Sequence, residues 1–168
     1  MEGISNLEIQ EFLQKNFGES ILSMEESFGL LAIEVHINHI YKVVSYLYKD
    51  ETMKFQFLTD LCGVHYPDST NRELGVVYHL QSMTLNKRLK LKVFVPVEKP
   101  EVPTMTGIYG SANWMERETF DFFGIRFLGH PNLKRILNMD EMVDFPMRKE
   151  FPLEDPTRDD KADFQFGR

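Results

Sequence analysis

The 168-residue sequence holds a single cysteine, Cys62. One thiol excludes an internal disulfide, and it excludes an iron–sulfur cluster held by this chain alone, which needs roughly four thiolate ligands. Cys62 lies in an apolar run and is expected to be a small core residue. Cations are also scarce: 19 Lys and Arg face 26 Asp and Glu, a net charge of −7. General nucleic-acid binding, which rests on clustered Lys and Arg, is therefore not expected. No run approaches the ~18 apolar residues of a membrane span. The opening MEGISNLEIQEFLQKNF is acidic and amphipathic, unlike a secretory signal or an Arg-rich transit peptide. P-loop, GxGxxG, GxSxG and helical HExxH patterns do not occur. These absences predict a soluble or peripheral protein made where thiols stay reduced.

What is present suits one well-buried domain. Leu7, Ile9, Phe12, Leu13 and Phe17 recur at helical spacing, with Asn6 as the expected cap and Gly18 as the stop. Residues 28–37 read as a strand. A second helix is expected after Asn38, buried through Ile40, Val43, Val44 and Leu47. Strands are predicted over 54–65 and 73–83. In RLKLKVFV, Leu89, Leu91, Val93 and Val95 alternate with Arg88, Lys90 and Lys92, the pattern of a half-buried antiparallel strand in a meander. Beyond KPEVPT a helix is expected over 106–123, closed by Gly124. IRFLG is short and extended, and Pro131 is placed to open a short helix to Leu137. The last 31 residues carry nine acids, five Lys or Arg and three prolines, a composition that buries little of itself. The reading is an α+β fold: an antiparallel or mixed sheet with packed helices over residues 1–137, and an extended partner-binding tail over 138–168.

The segment ERETFDFFGIRFLGHPNLKRIL, residues 116–137, concentrates the candidate chemistry. At 100° per residue, Trp114, Arg117, Glu118 and Asp121 share one helical face, and Glu116 falls inside the apolar arc between Phe120 and Phe123. The carboxylates therefore do not converge. A buried Glu116 is either a tuned general acid or a structural anion paired with a buried arginine, the favoured reading, with Arg126 or Arg135 as candidates. Arg117 and Asp121, at i and i+4, suggest a helix-surface ion pair. His130, in Gly-His-Pro, has no nucleophile at a readable spacing and is expected to be a hydrogen-bonded turn residue. His36 and His39 form HxxH at a strand-to-helix junction, a weak metal signal. No acid occurs between Asp121 and Asp140, so Arg126, His130, Lys134 and Arg135 form a basic island beside phenylalanines, a composition suited to a protein interface.

Glu116-Arg117-Glu118, Asp121, Phe123-Gly124-Ile125, Gly129-His130-Pro131, Leu133, Arg135 and Ile136 together resemble the signature of the C-type subunit of proton-pumping NADH:quinone oxidoreductase, respiratory complex I. The tail element Met147-Arg148-Lys149-Glu150-Phe151-Pro152-Leu153 is similar to that family's ending. A second Gly-His-Pro usual before that element is replaced here by Asp144-Phe145-Pro146-Met147. The resemblance implies a non-catalytic core subunit of the peripheral arm, with Glu116, Arg117, Glu118, Asp121, Gly124, Arg126, Gly129, His130, Pro131, Arg135, Arg148, Lys149, Phe151 and Pro152 as signature and interface residues. It implies that the chain binds no cofactor, and that FMN, iron–sulfur clusters and quinone belong to partner subunits. Those partners would be chiefly the D-type subunit, which holds the quinone site, and the B- and I-type iron–sulfur subunits. Membrane contact would come only through the complex, on the cytoplasmic side of a bacterial inner membrane. The alternatives are a homologous subunit of a membrane-bound hydrogenase or another donor-specific relative, and a free-standing hydrolase using Glu116, Glu118 or His130.

Overall fold

A computed structural model describes residues 4–152. Helix α1 (Asn6–Phe17) begins with a capping box in which Ser5 and Glu8 satisfy each other's backbone N–H groups. The cap is thus Ser5, one residue earlier than expected. A short 3-10 turn leads into β1 (Ile21–Ser27) and β2 (Leu30–Val35), an antiparallel hairpin turned by Phe28 and Gly29, both at positive φ. Helix α2 (Ile40–Lys49) follows. Strands β3 (Phe57–His65), β4 (Leu74–Ser82) and β5 (Lys87–Val95) then form the expected antiparallel meander.

The sheet order is β1-β2-β5-β4-β3, with β2 and β5 parallel through Leu31–Leu89 and Ile33–Leu91. The sheet is thus mixed, and the fold is α+β as the sequence pattern predicts. A separate two-stranded parallel ribbon joins β6 (Glu101–Pro103) to β7 (Arg126–Leu128). Helix α3 (Ala112–Phe123) connects them and packs along β3.

One core lies on one face of the sheet. Leu74, Val76, Tyr78 and Leu80 of β4 and Leu89, Leu91, Val93 and Val95 of β5 are buried there with Ile9, Leu13 and Phe17 of α1 and Ile40, Val43, Val44 and Leu47 of α2. The intervening positions, including His79, Lys90 and Lys92, face away from this core.

Four further expectations are corrected. Strand β1 was not foreseen, because ILSMEES lacks a clean alternation: its burial follows no period of two. The helix expected from 106 starts at Ala112; residues 105–109 make one isolated turn, with Ile108 and Tyr109 donating to the Met105 carbonyl. The helix expected from Pro131 to Leu137 does not form, for a reason that lies in Asp121 below. Cys62 is half-buried on β3 rather than sealed in the core, and burial, with Asp60 and Glu118 nearby, pushes its thiol pKa up.

Helix α3 approaches β3 through Gly63, where an added Cβ would come within 2.4 Å of the Phe123 ring. Gly63→Ala should therefore cost ~1–3 kcal/mol through overpacking, read as a lower urea midpoint. An unchanged midpoint would show that α3 can shift away from β3 freely.

Candidate functional site

The signature helix α3 ends at Gly124, whose φ of +74° is left-handed and whose N–H returns to the Phe120 carbonyl. The chain then reverses into β7, turns at Gly129 (φ +85°) and runs back across the outer side of α3. That return covers Asp121, which the helical projection places on a polar surface but which is fully buried.

Asp121 organises the return. Its Oδ2 accepts from the backbone N–H groups of Ile136 (3.0 Å), Leu137 (2.8 Å) and Asn138 (2.9 Å), and its Oδ1 lies 2.7 Å from the Arg135 guanidinium. N–H groups aimed at a carboxylate are not free for an i to i−4 ladder, so residues 131–137 stay irregular instead of helical. Arg135 extends the cluster by donating to the Asp121, Met142 and Asp144 carbonyls. Burial alone would raise the Asp121 pKa. The three N–H groups and Arg135 outweigh it and hold the carboxyl well below the ordinary range.

The expected Arg117–Asp121 surface pair is not made. Arg117 donates to the carbonyls of Lys134 (3.1 Å) and Arg135 (2.9 Å), so it too clamps the returning segment, and its guanidinium stacks near Trp114. His130 is engaged on both ring nitrogens: Nε2 faces the Asn113 carbonyl at 3.1 Å and Nδ1 accepts from Asn132 N–H. The basic island is thereby dissolved. Arg135 points inward, His130 is hydrogen-bonded, and only Lys134 and Arg126 remain exposed.

Glu116 is buried, as its place in the apolar arc predicts, but neither candidate arginine reaches it. Arg135 serves Asp121, and Arg126 is exposed on β7, 3.9 Å from Glu101. Glu116 instead accepts from the Thr104 hydroxyl (2.5 Å) and the Met105 N–H (2.6 Å). It thus pins α3 to the chain just after β6. Burial pushes its pKa up to about 7, with the two hydrogen bonds pulling part of the way back. Glu118 is exposed on the other side of α3, so Glu116, Glu118 and Asp121 point to three different surroundings.

The tail element returns to the body on another set of bonds. Met147 N–H donates to the Phe122 carbonyl (3.2 Å), Arg148 Nε to the Phe123 carbonyl (2.7 Å), and Lys149 N–H to His65 Nδ1 (2.9 Å). Phe145 lies under both guanidiniums, 5.2 Å from Arg135 and 4.7 Å from Arg148, and packs against Gly124, where a Cβ would come within 2.5 Å of its ring. Phe151 N–H closes a turn onto the Arg148 carbonyl, and Phe151 is half-buried while Pro152 is exposed. Residues 153–168 of the expected tail lie outside the described residues.

The sequence reading missed Thr104, His65 and Phe145, all of which hold signature residues from elsewhere in the chain. Only the position of Phe145, in the place of the family's second Gly-His-Pro, offered a signal. Among the described residues no group of three or more His, Cys, Asp or Glu could hold a metal ion, and no helix is long and apolar enough to cross a membrane. What the arrangement does is structural: it fixes residues 130–152 against α3 with Leu137, Met139, Val143 and Met147 exposed.

A family profile described as "Respiratory-chain NADH dehydrogenase, 30 Kd subunit" matches residues 33–157. A protein of Mycolicibacterium gilvum, named as the C subunit of NADH-quinone oxidoreductase, is 44% identical over 137 residues, 82% of this chain and 61% of that protein. A protein of the same name from Roseiflexus sp. is 42% identical over 150 residues, covering 89% of this chain and 86% of that one. The chain spans about half to three-fifths of the length of the first relatives it matches. A trypsin-resistant fragment of Nqo5 superposes with a TM-score of 0.64 at 34% identity, over 74% of this chain and 98% of the fragment. A chain of an archaeal membrane-bound sulfane sulfur reductase superposes with a TM-score of 0.74 at 24% identity, over 88% and 85%. That second likeness speaks for the fold alone.

Two expected outcomes follow from the two buried carboxyls. Glu116 has a raised folded pKa, so the folded state keeps a proton that the unfolded chain gives up. Its contribution falls as pH rises from about 4.5 through about 7, a loss of about 3 kcal/mol. Glu116→Gln should match the parent near pH 4.5 and exceed it by about 3 kcal/mol above pH 7 in urea unfolding. Parallel pH profiles would mean that Glu116 has a charged partner after all. Asp121 acts in the opposite sense, with stability present above the ordinary carboxylate range and lost as pH falls. Asp121→Asn strands Arg135 and should cost ~3–5 kcal/mol, and in limited trypsin digestion it should expose the bond after Lys134. A variant as resistant as the parent would show that the return segment holds without Asp121.

Proposed function

The chain belongs to the 30 Kd subunit family of the respiratory-chain NADH dehydrogenase, and on that premise we propose that it is a non-catalytic core subunit of the peripheral arm. It supports electron transfer from NADH to quinone, coupled to proton translocation, without taking part in the chemistry. The observation that carries this reading is the use made of the signature. Arg117, Asp121, Gly124, His130 and Arg135 all hold the return segment, and Arg148 and Lys149 hold the tail element. None of these groups is left aimed at a common point where a substrate atom would sit, which weakens the hydrolase reading. The FMN, the iron–sulfur clusters and the quinone then sit in neighbours, chiefly the D-type quinone-site subunit and the B- and I-type iron–sulfur subunits. The chain meets the membrane through them, on the cytoplasmic side of a bacterial inner membrane.

The docking side in this reading is the outer surface of residues 137–147. Leu137, Met139, Val143 and Met147 stand exposed there on a backbone tied to α3, so little ordering remains to be done on binding. The partner-binding tail of this reading also includes residues 153–168, which lie outside the described residues. A second reading is a subunit of a relative of complex I that uses another electron donor; such relatives share the signature, so the donor that the complex oxidises separates the two.

Purification of the tagged chain in mild detergent decides between these readings. Co-purifying D-, B- and I-type subunits that oxidise NADH with quinone is the expected result; oxidation of another donor supports the second reading, and a chain recovered alone overturns both. Met139→Asp with Val143→Asp should leave the unfolding free energy of the isolated chain, measured in urea, within about 0.5 kcal/mol of the parent, as exposed substitutions do, while lowering the yield of assembled complex. Normal assembly would move the docking side elsewhere.

A further inference from the structure

The buried carboxyl of Glu116 stands at the inner end of a line of hydroxyl groups. Its Oε2 lies 2.5 Å from Thr104 Oγ1, which in turn lies 2.9 Å from Thr106 Oγ1. Glu116 is completely buried, Thr104 and Thr106 are partly exposed, and Gly107 beside them is open to solvent. The line thus runs from the interior to the surface in two steps. Its spacing has a backbone cause. Thr104 N–H continues the β6–β7 ribbon by donating to the Leu128 carbonyl, and Thr106 N–H folds back onto Thr104 Oγ1 at 3.2 Å. That side-chain turn sets the two hydroxyls next to each other.

A threonine hydroxyl carries one proton and two lone pairs. Thr104 has three neighbours for them: Glu116, the Thr106 hydroxyl and the Thr106 N–H. The N–H only donates, so one lone pair is committed, and the proton and the other lone pair can be used in two ways. With Glu116 ionised, Thr104 donates to the carboxylate and accepts from the Thr106 hydroxyl. With Glu116 protonated, the carboxyl donates to Thr104, and Thr104 donates to Thr106. Both arrangements satisfy Thr104 completely, and Met105 N–H donates to Glu116 Oε1 in either. Passing between them moves one proton outward. The Glu116 O–H breaks as a Thr104 O–H forms, the proton of Thr104 goes to Thr106, and that of Thr106 goes to hydroxide or buffer base in solvent.

The same bonds hold a joint. Residues 105–109 form the isolated turn before α3, and Tyr109 anchors its far end by donating to the Phe55 carbonyl and meeting Tyr48 edge-on. Its near end is fastened to α3 by Glu116 alone, through Thr104 and Met105. The charged groups of the surrounding elements are engaged elsewhere. On β3, Asp60 lies 3.8 Å from His79 and His65 accepts from Lys149 N–H. On the ribbon, Glu101 lies near Lys99 and Arg126. On α3, Arg117 and Asp121 hold the return segment and Glu118 is exposed. From β4 the buried Tyr78 hydroxyl is coupled to Glu116; burial first, then that charge, pushes its pKa up, so it stays protonated. Among the described residues no cation offsets the charge on Glu116 once its proton has left. We propose that Glu116, Thr104 and Thr106 are a proton-operated latch: the carboxyl proton reaches solvent along the two hydroxyls, and its loss loosens the 105–109 turn from α3.

An open joint returns Glu116 to water and to its ordinary value of 4.5, against about 7 when closed. Opening is therefore favoured as pH rises between those values and levels off above them, by about 300-fold in all. Amide exchange of the full-length chain, corrected for the intrinsic rate at each pH, should show Met105 N–H losing about that factor of protection across this range. It should also stay less protected throughout than the amides of β5. Glu116→Gln should hold the Met105 protection flat. Protection equal to that of β5 at every pH means that the joint opens only with the whole fold and overturns the latch, as does a pH dependence kept in Glu116→Gln. The relay is read from the infrared C=O band of the protonated carboxyl, absent in Glu116→Gln, after a rapid upward pH jump. Thr106→Val keeps both bonds to Glu116 but removes the outer hydroxyl. Its band should decay roughly tenfold more slowly or worse, the proton then waiting for local opening. Thr106→Ala should slow it equally, and Thr106→Ser should restore the parent rate. Equal rates in parent, Thr106→Ala and Thr106→Ser overturn the relay.

Discussion

The carboxylate of Asp121 gathers three consecutive backbone N–H groups and a guanidinium in a buried space. A buried carboxylate is costly unless it is satisfied on every side. Here the satisfaction comes from residues 135–138, so the condition for burying the charge is that the chain after β7 turn back over α3. Arg135 then passes the constraint onward to the Met142 and Asp144 carbonyls and to the Phe145 ring. Through Phe145 and Arg148 it reaches the tail element and His65 on β3. One ionised group thus orders segments that carry almost no secondary structure of their own.

Glu116 and Asp121, only five residues apart, illustrate how surroundings divide like side chains. Asp121 meets many donors and a cation, and it is held ionised. Glu116 meets a hydroxyl and one N–H in an apolar setting, and burial brings its pKa to about 7. Tyr78, whose buried hydroxyl has no hydrogen-bond partner among the described residues, feels the same field, and burial followed by the charge of Glu116 pushes its pKa up. The pair of carboxyls therefore locks α3 on two sides by different physics: a neutral-leaning hydrogen bond to the chain after β6, and an anion cluster to the return segment.

Much of the frame was legible because burial on one face prints directly on a strand. Leu89, Leu91, Val93 and Val95 alternate with outward-facing residues, and β4 and both early helices follow the same logic. Strand β1 was hidden because an edge strand with one partner needs no regular alternation. The site was legible at one level only. Helical projection correctly buried Glu116, yet it assigned Asp121 to the surface, since a projection knows the neighbours within a helix and not the segment that will lie over it. Which arginine would answer which acid, and that Thr104 and His65 would join, depend on chain reversals at Gly124 and Gly129 that place distant residues side by side. Such contacts leave no periodic trace.

The parallel pairing of β2 with β5 has a kinetic consequence. The β1–β2 hairpin is made first during synthesis, but the edge it must join, residues 89–92, emerges about sixty residues later. The β3–β4–β5 meander closes through short connections, whereas joining β2 to β5 closes a loop of about sixty residues, the costlier contact to form. Until then the newborn hairpin waits with Leu31 and Ile33 uncovered.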